Sequence, residues 1–574
     1  MSAAHDNSPS EQRSKTAPEP GKYISSEQRL RDLGFVFTDF SYLTNPHPEK
    51  IRLLETGLRD ADQAKKDPMT YEQRLDYFAG LLRMGFVEIE VGIPSSNDLN
   101  RRFVRTLIED KLIPDGVLPQ VLVAGDGVLI EKTFEALKDA PPTIVHVYIP
   151  TSESQVNVVF KRTRQQVIDN AVESTRLVRQ LAIKNNLNII YQFSPESFTE
   201  TDPKFALAVC NAVVDAWDPK GDEKVILNLP ATVEVCEPHI YGSLIQYIRN
   251  NLKRRDQVVI SIHPHNDMGM GVAAATAALR AGAERVEGVI GGGGERAGNL
   301  DLLVLSANRL RQGLDPMIDL RNGNEIRALI EDNLEPLPER HPVFSPKAWV
   351  AYSGTHQNAI DKYLTWYRDT DQKTWTGFPY LLGDPHDFGF TFDDLIEVNQ
   401  YSGKNGVNNR LRESLFYRLP PDMLVEFTKA VKDWCVQTGG NASTETISRL
   451  LGTNYINPHG PLELKGHFKS HIGNDMVKVH LELVINGGRR ITETGIGRGA
   501  IDATVKALKE IGQEVEVEDE STHSRGTGSE AEAVAFIKVS RGGRKSFGMG
   551  IDRDIETANI KAVIAGANRL SSMA

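Results

Sequence analysis

The sequence predicts an α/β chain: a closed (β/α)8, or TIM, barrel, then a mostly helical linker region, then a C-terminal α+β domain. Three observations carry that reading. Eight short β-branched runs recur through residues 50–325, a stretch of helical periodicity follows each, and residues 441–574 contain a duplicated pattern. The runs are Ile51–Glu55, Val87–Gly92, Leu118–Ala124, Thr143–Ile149, Asn188–Ser194, Lys224–Pro230, Gln257–His265 and Arg285–Ile290. Stretches such as Tyr71–Met84 and Val272–Ala281 space their apolar residues for one face of a helix. A doubly wound open sheet is the competing architecture. It usually carries a glycine-rich dinucleotide turn after its first strand, where this chain has Arg59-Asp60-Ala61-Asp62-Gln63.

Ahead of the barrel, residues 1–49 read as a disordered or extended segment. The first 25 are polar, rich in Ser, Pro and Glu, and lack the apolar stretch of a signal peptide. Asp6, Glu11 and Glu19 interrupt what an Arg-rich, acid-poor presequence requires, so a cytoplasmic location is expected. Residues 326–440 are less regular, with several Pro, Trp and Tyr, and read as linker subdomains of helices and loops. Within 441–574, Gly487-Gly488-Arg489 recurs as Gly542-Gly543-Arg544, Gly495-Ile496 as Gly550-Ile551, and Lys506-Ala507 as Lys561-Ala562. Each copy reads strand, GGR turn, strand, glycine-rich turn, helix. Two such units bury each other's apolar faces, and their seam is either simple packing or an effector site.

The chain's 574 residues suffice for several domains and large cores. With 40% hydrophobic and 25% charged residues it is neither a disordered chain, a fibre nor a disulfide scaffold. A net charge of −11 argues against global attraction to nucleic acid or an anionic membrane. No apolar run approaches the roughly 18 residues that span a bilayer. Cys210, Cys236 and Cys435 form no CxxC pair, which fits a reducing compartment.

In such a barrel the functional groups gather at the C-terminal ends of the strands. Arg59 and Asp60 end the first strand. His263 and His265 end the seventh, two residues apart and therefore on one face. Glu295, Arg296 and Asn299 follow the eighth, which closure places beside the first. Two imidazoles and one carboxylate in one sector make a candidate divalent-metal site, with Zn, Mn and Mg all open. Arg59 beside it would be balanced by an anionic substrate or a developing oxyanion. Gly291–Gly294 reads as a turn that lets Glu295 and Asn299 approach, and no Lys-Ser/Thr follows it to make a phosphate loop. His146, Glu196, Asn228 and Thr232 ring the same mouth as candidate substrate contacts. His356 and Tyr380 lie outside the barrel, and spacing gives neither a partner.

The chain resembles 2-isopropylmalate synthases of the long actinobacterial and fungal form, from about Ile51 to the C-terminus. The matching stretches are Leu58-Arg59-Asp60-x-x-Gln63, Glu88-Ile89-Glu90-Val91-Gly92, Ser194-Pro195-Glu196-Ser197, Asn228-Leu229-Pro230-Ala231-Thr232-Val233-Glu234, His263-Pro264-His265-Asn266-Asp267, Gly294-Glu295-Arg296-x-Gly298-Asn299 and Ser353-Gly354-x-His356-Gln357. The resemblance implies an acyltransferase: acetyl-CoA adds to the ketone of a 2-oxo acid, and thioester hydrolysis gives a 2-alkylmalate and CoA. It implies a divalent metal held by Asp60, His263, His265 and Asn299. Arg59 and Glu196 would act on the reacting groups. Gln63, His146, Ser194, Asn228, Pro230 and Thr232 would contact substrate. His356 and Tyr380 would serve the proton transfer across a homodimer, and the C-terminal repeat would be a leucine-binding regulatory domain.

The chain departs from the family pattern at several positions. Ala61 stands for a usual glycine, Met268 for an arginine, Gly293 and Ala297 for Asn and Thr, Val123-Ala124 for Thr-Gln and Ile93 for a phenylalanine. These predict a larger, more apolar 2-oxo acid pocket, with an aromatic acid such as 4-hydroxyphenylpyruvate as the alternative substrate. Arg498 and Ala500 replace a usual Asn and Pro, which bears on leucine binding. A thioester lyase or aldolase would share the barrel and metal but has no need of the repeat. An iron oxygenase would share only the ligand set.

Overall fold

Eight parallel strands close a barrel in chain order: β1 (Arg52–Glu55), β2 (Glu88–Gly92), β3 (Leu118–Ala124), β4 (Thr143–Pro150), β5 (Ile189–Glu196), β6 (Val225–Ala231), β7 (Val258–Pro264) and β8 (Arg285–Gly288). β8 pairs back onto β1, Arg52 opposite Arg285 through Glu55 opposite Gly288. The computed structural model describes residues 24–370, 379–391, 397–473, 476–526 and 528–572. The chain forms two units, Met1–Ser345 and Pro346–Ala574.

In the first unit, α1 (Ser26–Asp32) precedes the barrel. The barrel helices are α2 (Tyr71–Arg83), α3 (Asp98–Glu109), α4 (Gly127–Ala136), α5 (Arg164–Lys184), α6 (Pro203–Trp217), α7 (Pro238–Asn251), α8 (Gly271–Arg280) and α9 (Leu302–Arg311), and α10 (Gly323–Asn333) follows. Local sequence explains their starts. Thr70 with Gln73 and Thr163 with Gln166 form capping boxes that satisfy orphan N–H groups of α2 and α5. α6 and α7 begin with proline, whose missing N–H costs nothing there. β6 and β7 are buried at every position, as parallel strands between two layers must be.

Strand ends differ from the sequence reading where turn geometry intervenes. β7 stops at Pro264, and His265 instead makes an isolated bridge to Asn299. β8 stops at Gly288 because a short 3-10 turn follows, with Gly291 at φ +76°. The expected disordered or extended segment 1–49 is corrected in part. Its first 23 residues lie outside the described residues, but residues 26–32 are helical, and Leu30, Phe35 and Tyr42 are buried. Those apolar groups find cover on the barrel: the Tyr42 hydroxyl donates to the His239 carbonyl on α7, and Arg29 reaches the Thr199 carbonyl.

The barrel interior is polar below the mouth. Arg285 is fully buried and donates to Glu88 (2.6 Å), Glu287 (2.7 Å), Gln120 (2.9 Å) and Ser261 (2.9 Å). Gln192 and Asn228 also donate to Glu287. Arg285, with all three guanidinium nitrogens bonded, fixes the side chains around it, because a buried N–H left unpaired would be costly.

In the second unit, helices α11 (Gly354–Asp369), α12 (Pro421–Thr438) and α13 (Thr444–Leu451) precede two three-stranded antiparallel sheets. The first holds β9 (Leu462–Gly473), β10 (Met476–Ile485) and β11 (Arg489–Gly497), followed by α14 (Ala500–Glu510). The second holds β12 (Glu516–Arg525), β13 (Glu532–Arg541) and β14 (Arg544–Asp552), followed by α15 (Ile555–Ser572). Both copies have the expected order, each with one further strand in front. The repeated glycine has a shared cause. A Cβ at Gly495 would lie 1.8 Å from the Ala503 carbonyl oxygen, and one at Gly550 2.0 Å from that of Ala558. Only glycine lets each helix approach its strand so closely. Val479 and Leu481 of one sheet and Ala535 and Ile537 of the other enter one apolar core, so the seam between copies is packed. Val534, Phe536, Phe547 and Met549 complete a second core with α12 and α13.

Candidate active site

At the C-terminal mouth of the barrel, a turn after β1 carries Arg59 and Asp60 inward, and the end of β7 presents His263 and His265. One ligand atom from each of Asp60, His263 and His265 lies within 4.8 Å of the others, and all three residues are buried. Asp60 Oδ2 is 3.2 Å from His263 Nε2 and 3.7 Å from His265 Nε2. His263 Nδ1 is 2.9 Å from Glu287 Oε2, which fixes the ring and leaves Nε2 facing the cluster. Arg59 Nη1 is 3.1 Å from Asp60 Oδ1, and its Nε donates to Glu90.

The electrostatics suit a cation. Burial opposes the Asp60 charge, yet Arg59, His263 and His265 hold its carboxyl far below the ordinary range. Burial also works against a protonated His263, but hydrogen bonds to Asp60 and Glu287 raise it to about 9. Burial, then the charge on His263, lower His265 to about 4. Arg59 stays charged, because Asp60 and Glu90 outweigh its burial. Inside the mouth the carboxylates Asp60, Glu88, Glu90 and Glu287 face the guanidiniums of Arg59 and Arg285, with the partly exposed Arg52 reaching Glu88 at 2.5 Å. His265 Nδ1 and Asn299 Oδ1 are buried without a hydrogen-bond partner among the described residues. A buried two-imidazole, one-carboxylate donor set fits a divalent metal.

Next to this cluster is a cavity of about 260 Å³. Of the residues expected from sequence, Arg59, Asp60, Gln63, His146, Ser194, Glu196, Asn228, Pro230, Thr232, His263 and His265 all line it. His146 Nε2 and the Asn228 amide meet the Ser194 hydroxyl at 2.7 and 3.0 Å. Burial raises Glu196 above the usual carboxylate range, with Arg59 pulling the other way. Thr232 accepts the Ser197 N–H at 2.9 Å, and Gln63 donates to Glu295 at 3.2 Å. Asn299 is not on the cavity wall; its amide donates to the Gly293 carbonyl at 3.0 Å. His356 and Tyr380 belong to the second unit, where their rings stack with centroids 3.8 Å apart.

Sequence reasoning passes over several of the residues that build this site. Glu90 and Glu287 anchor Arg59 and His263, and Leu122 and Tyr148 supply much of the apolar wall. The available signal was an acidic residue inside a strand buried on both faces, where a charge is costly unless paired. The enlarged-pocket expectation is corrected. Of the substituted positions behind it, only Ile93 lines the cavity. Leu122 points inward, and strand alternation turns Val123 toward the helix layer.

Comparisons with known proteins agree with this architecture. Residues 50–330 match the HMGL-like family, 347–412 the alpha-isopropylmalate synthase post-catalytic domain-like family, and 441–571 the LeuA allosteric (dimerisation) domain. The 2-isopropylmalate synthase of Parafrankia sp. is 40% identical over 530 residues, 91% of this chain and 94% of that one. That of Helicobacter hepaticus is 38% identical over 522 residues, 89% and 93% of the two chains. That of Kineococcus radiotolerans is 38% identical over 567 residues, 96% and 97%. Among the described residues no helix is long and apolar enough to cross a membrane. With a closed barrel carrying a histidine–carboxylate cluster at its mouth, a duplicated C-terminal domain, and relatives matched along nearly its whole length, this chain belongs to the 2-isopropylmalate synthase family.

Proposed function

We propose that the chain condenses acetyl-CoA with 3-methyl-2-oxobutanoate and hydrolyses the resulting thioester to 2-isopropylmalate and CoA. The observation that carries this is the Asp60–His263–His265 cluster, with Arg59 against it, on the wall of a small, half-apolar cavity. Asp60, His263 and His265 would hold a divalent metal, with the Asn299 carbonyl oxygen as a further donor. Such an ion supplies Lewis-acid polarisation of the 2-oxo acid.

The chain's own residues do the rest. The new carbon–carbon bond joins the acetyl methyl carbon to the ketone carbon, leaving charge on the ketone oxygen. Arg59, held rigidly by Glu90, is a preorganised donor for that oxygen. His146, Ser194, Asn228 and Thr232 offer polar contacts to the 2-oxo acid, and Gln63 ties the β1 turn to Glu295 across the rim. Leu122, Tyr148, Ile93 and Pro230 receive its branched alkyl group. Removing the methyl proton needs a base. Glu196, whose burial favours proton uptake, and the stacked pair His356 and Tyr380 are the candidates, the pair acting across a homodimer. Water then cleaves the carbon–sulfur bond and CoA leaves as the thiol.

The test is CoA release from acetyl-CoA across a panel of 2-oxo acids. 3-Methyl-2-oxobutanoate should exceed 4-hydroxyphenylpyruvate in kcat/KM by about tenfold or more, as the likeness to 2-isopropylmalate synthases along nearly the whole chain suggests. A preference for the aromatic acid would move the chain to the alternative substrate and leave the reaction class intact.

A further inference from the structure

Glu196 ends β5 and lines the cavity beside the Asp60–His263–His265 cluster. Burial and the Arg59 charge both act on its carboxyl, yet among the described residues no hydrogen bond reaches that group. Its place is therefore set by its backbone. The next residue is unusual. Ser197 has φ 59° and ψ 40°, the left-handed region that a serine seldom enters. This turn stops β5 directly after Glu196 and keeps its carboxyl at the rim. We propose that Thr151, Thr201 and Arg29 are positioning residues that hold the turn and so aim the Glu196 carboxyl at the reacting groups. The proposal rests on the condensation reading above and deepens it by naming what supports one of its candidate bases.

The inner hold is a pair of buried threonines. The N–H of Thr151, just after β4, donates to the Glu196 carbonyl at 3.1 Å. The Thr151 hydroxyl lies 3.0 Å from the same carbonyl, the Thr201 hydroxyl lies 2.9 Å from the Ser197 carbonyl, and the two hydroxyls are 2.8 Å apart. Two hydroxyl protons thus serve three contacts in a site shielded from water, where each bond is strong. The Ser197 N–H completes the set by donating to Thr232 at 2.9 Å. These groups grip the peptide on each side of the Ser197 α-carbon, and rotation of those two peptides is what φ and ψ measure. A strained backbone persists only where its surroundings fix it in this way, and such places gather at functional sites.

The outer hold comes from ahead of the barrel. Arg29 on α1 donates to the Thr199 carbonyl, inside the short 3-10 turn Phe198–Glu200 that follows Ser197. The segment after α1 is seated firmly on α6 and α7. Phe35 meets Tyr247 edge-on with centroids 5.2 Å apart, and Lys204 lies 5.2 Å over the Phe35 ring. A Cβ at Gly242 would fall 2.5 Å from the Tyr42 hydroxyl, so α7 has a gap that fits that ring. Arg29 therefore reaches the turn from a fixed base. On the other side, the Thr199 hydroxyl lies 3.4 Å from the Val233 carbonyl and links the turn to the one after β6. The backbone that carries Glu196 is thus held by the ends of β4 and β6 and by α1.

The test compares variants of the full chain, supplied with divalent metal, by kinetics and by amide hydrogen exchange. Thr151→Val keeps the shape and removes the hydroxyl. It should lower kcat with acetyl-CoA and 3-methyl-2-oxobutanoate by about tenfold or more, with KM for both substrates within about twofold and metal content unchanged. Thr151→Ser keeps the hydroxyl and should recover most of that loss. Arg29→Ala, which leaves the barrel core untouched, should lower kcat by about threefold to tenfold. In Thr151→Val and Arg29→Ala alike, exchange across residues 197–201 should quicken while exchange in β7 stays as in the parent. Unaltered kcat or unaltered exchange in both variants overturns the positioning. A loss in Thr151→Ser equal to that in Thr151→Val would mean packing alone and overturns it too, as does full turnover in Glu196→Gln. No CoA release by the parent on any 2-oxo acid overturns the condensation and this role with it, whereas unaltered kcat in the variants of a condensing parent overturns only the role.

Discussion

Arg59 has its Nε committed to Glu90 and one Nη to Asp60, and its side chain is nearly buried on the cavity wall. A guanidinium locked in this way pays its ordering cost during folding, before substrate arrives. Its main effect is therefore on the transition state. Arg59→Ala should lower kcat by roughly 10²–10³, the scale of losing one oxyanion donor, with metal content near that of the parent. A variant that only raises KM would mean uniform substrate binding instead. His265 is a different case. Its Nε2 faces Asp60, and its ring is held neutral near pH 7 by burial and by the neighbouring charge on His263. Neutral imidazole is the ligating form. His265→Ala should abolish metal retention and turnover together, read by elemental analysis alongside the CoA assay. Normal turnover in a chelator-treated variant would contradict the metal reading.

At the scale of elements, the turn after β1 depends on a carboxyl that never touches the cavity. Glu55 ends β1, is fully buried, and accepts from the Gly57 N–H (2.9 Å), the Tyr77 hydroxyl (2.8 Å) and the Ile290 N–H (3.4 Å). It thereby joins β1, α2 and the segment after β8, the three pieces around Arg59 and Asp60. A Cβ at Gly57 would fall 2.5 Å from the Tyr77 hydroxyl, so the turn needs glycine there. Burial pushes Glu55 up from 4.5 to about 7, against the hydrogen bonds that favour its charge. The folded chain then holds this proton more tightly than the unfolded chain. Its stabilising contribution is complete below pH 4.5 and is lost as pH rises through 7, a change of about 3 kcal/mol. Glu55→Gln should remove that part of the pH dependence, narrowing the drop in barrel Tm between pH 5 and pH 8. An unchanged drop would show that Glu55 is not the group responsible.

At the scale of the molecule, the Asp60–His263–His265 cluster and the His356–Tyr380 stack belong to different units. The barrel carries its own core and all three clustered ligands. A chain ending after Ser345 should therefore retain divalent metal and lose CoA release by about 10² or more, the scale of losing acid–base groups. Retained turnover would remove His356 and Tyr380 from the reaction. A cut near residue 440 would be a harsher experiment. It would strip Phe536, Phe547 and Met549 from the core they share with Phe427 and Val431, exposing apolar surface on α12.

The sequence by itself determined the eight strands, the barrel, the histidine–carboxylate cluster and the C-terminal duplication. Each rests on a short-range regularity: β-branched runs at even spacing, two histidines on alternate strand positions, and glycines at a fixed offset. Tertiary structure alone decided which apolar residues of the strands face the cavity. Leu122 lines it while Val123 does not, and that difference follows from strand register and barrel closure rather than from residue type. The contacts of Glu90 with Arg59, Glu287 with His263 and Glu55 with Ile290 run between different strands or the turns after them, so no short sequence window holds both ends.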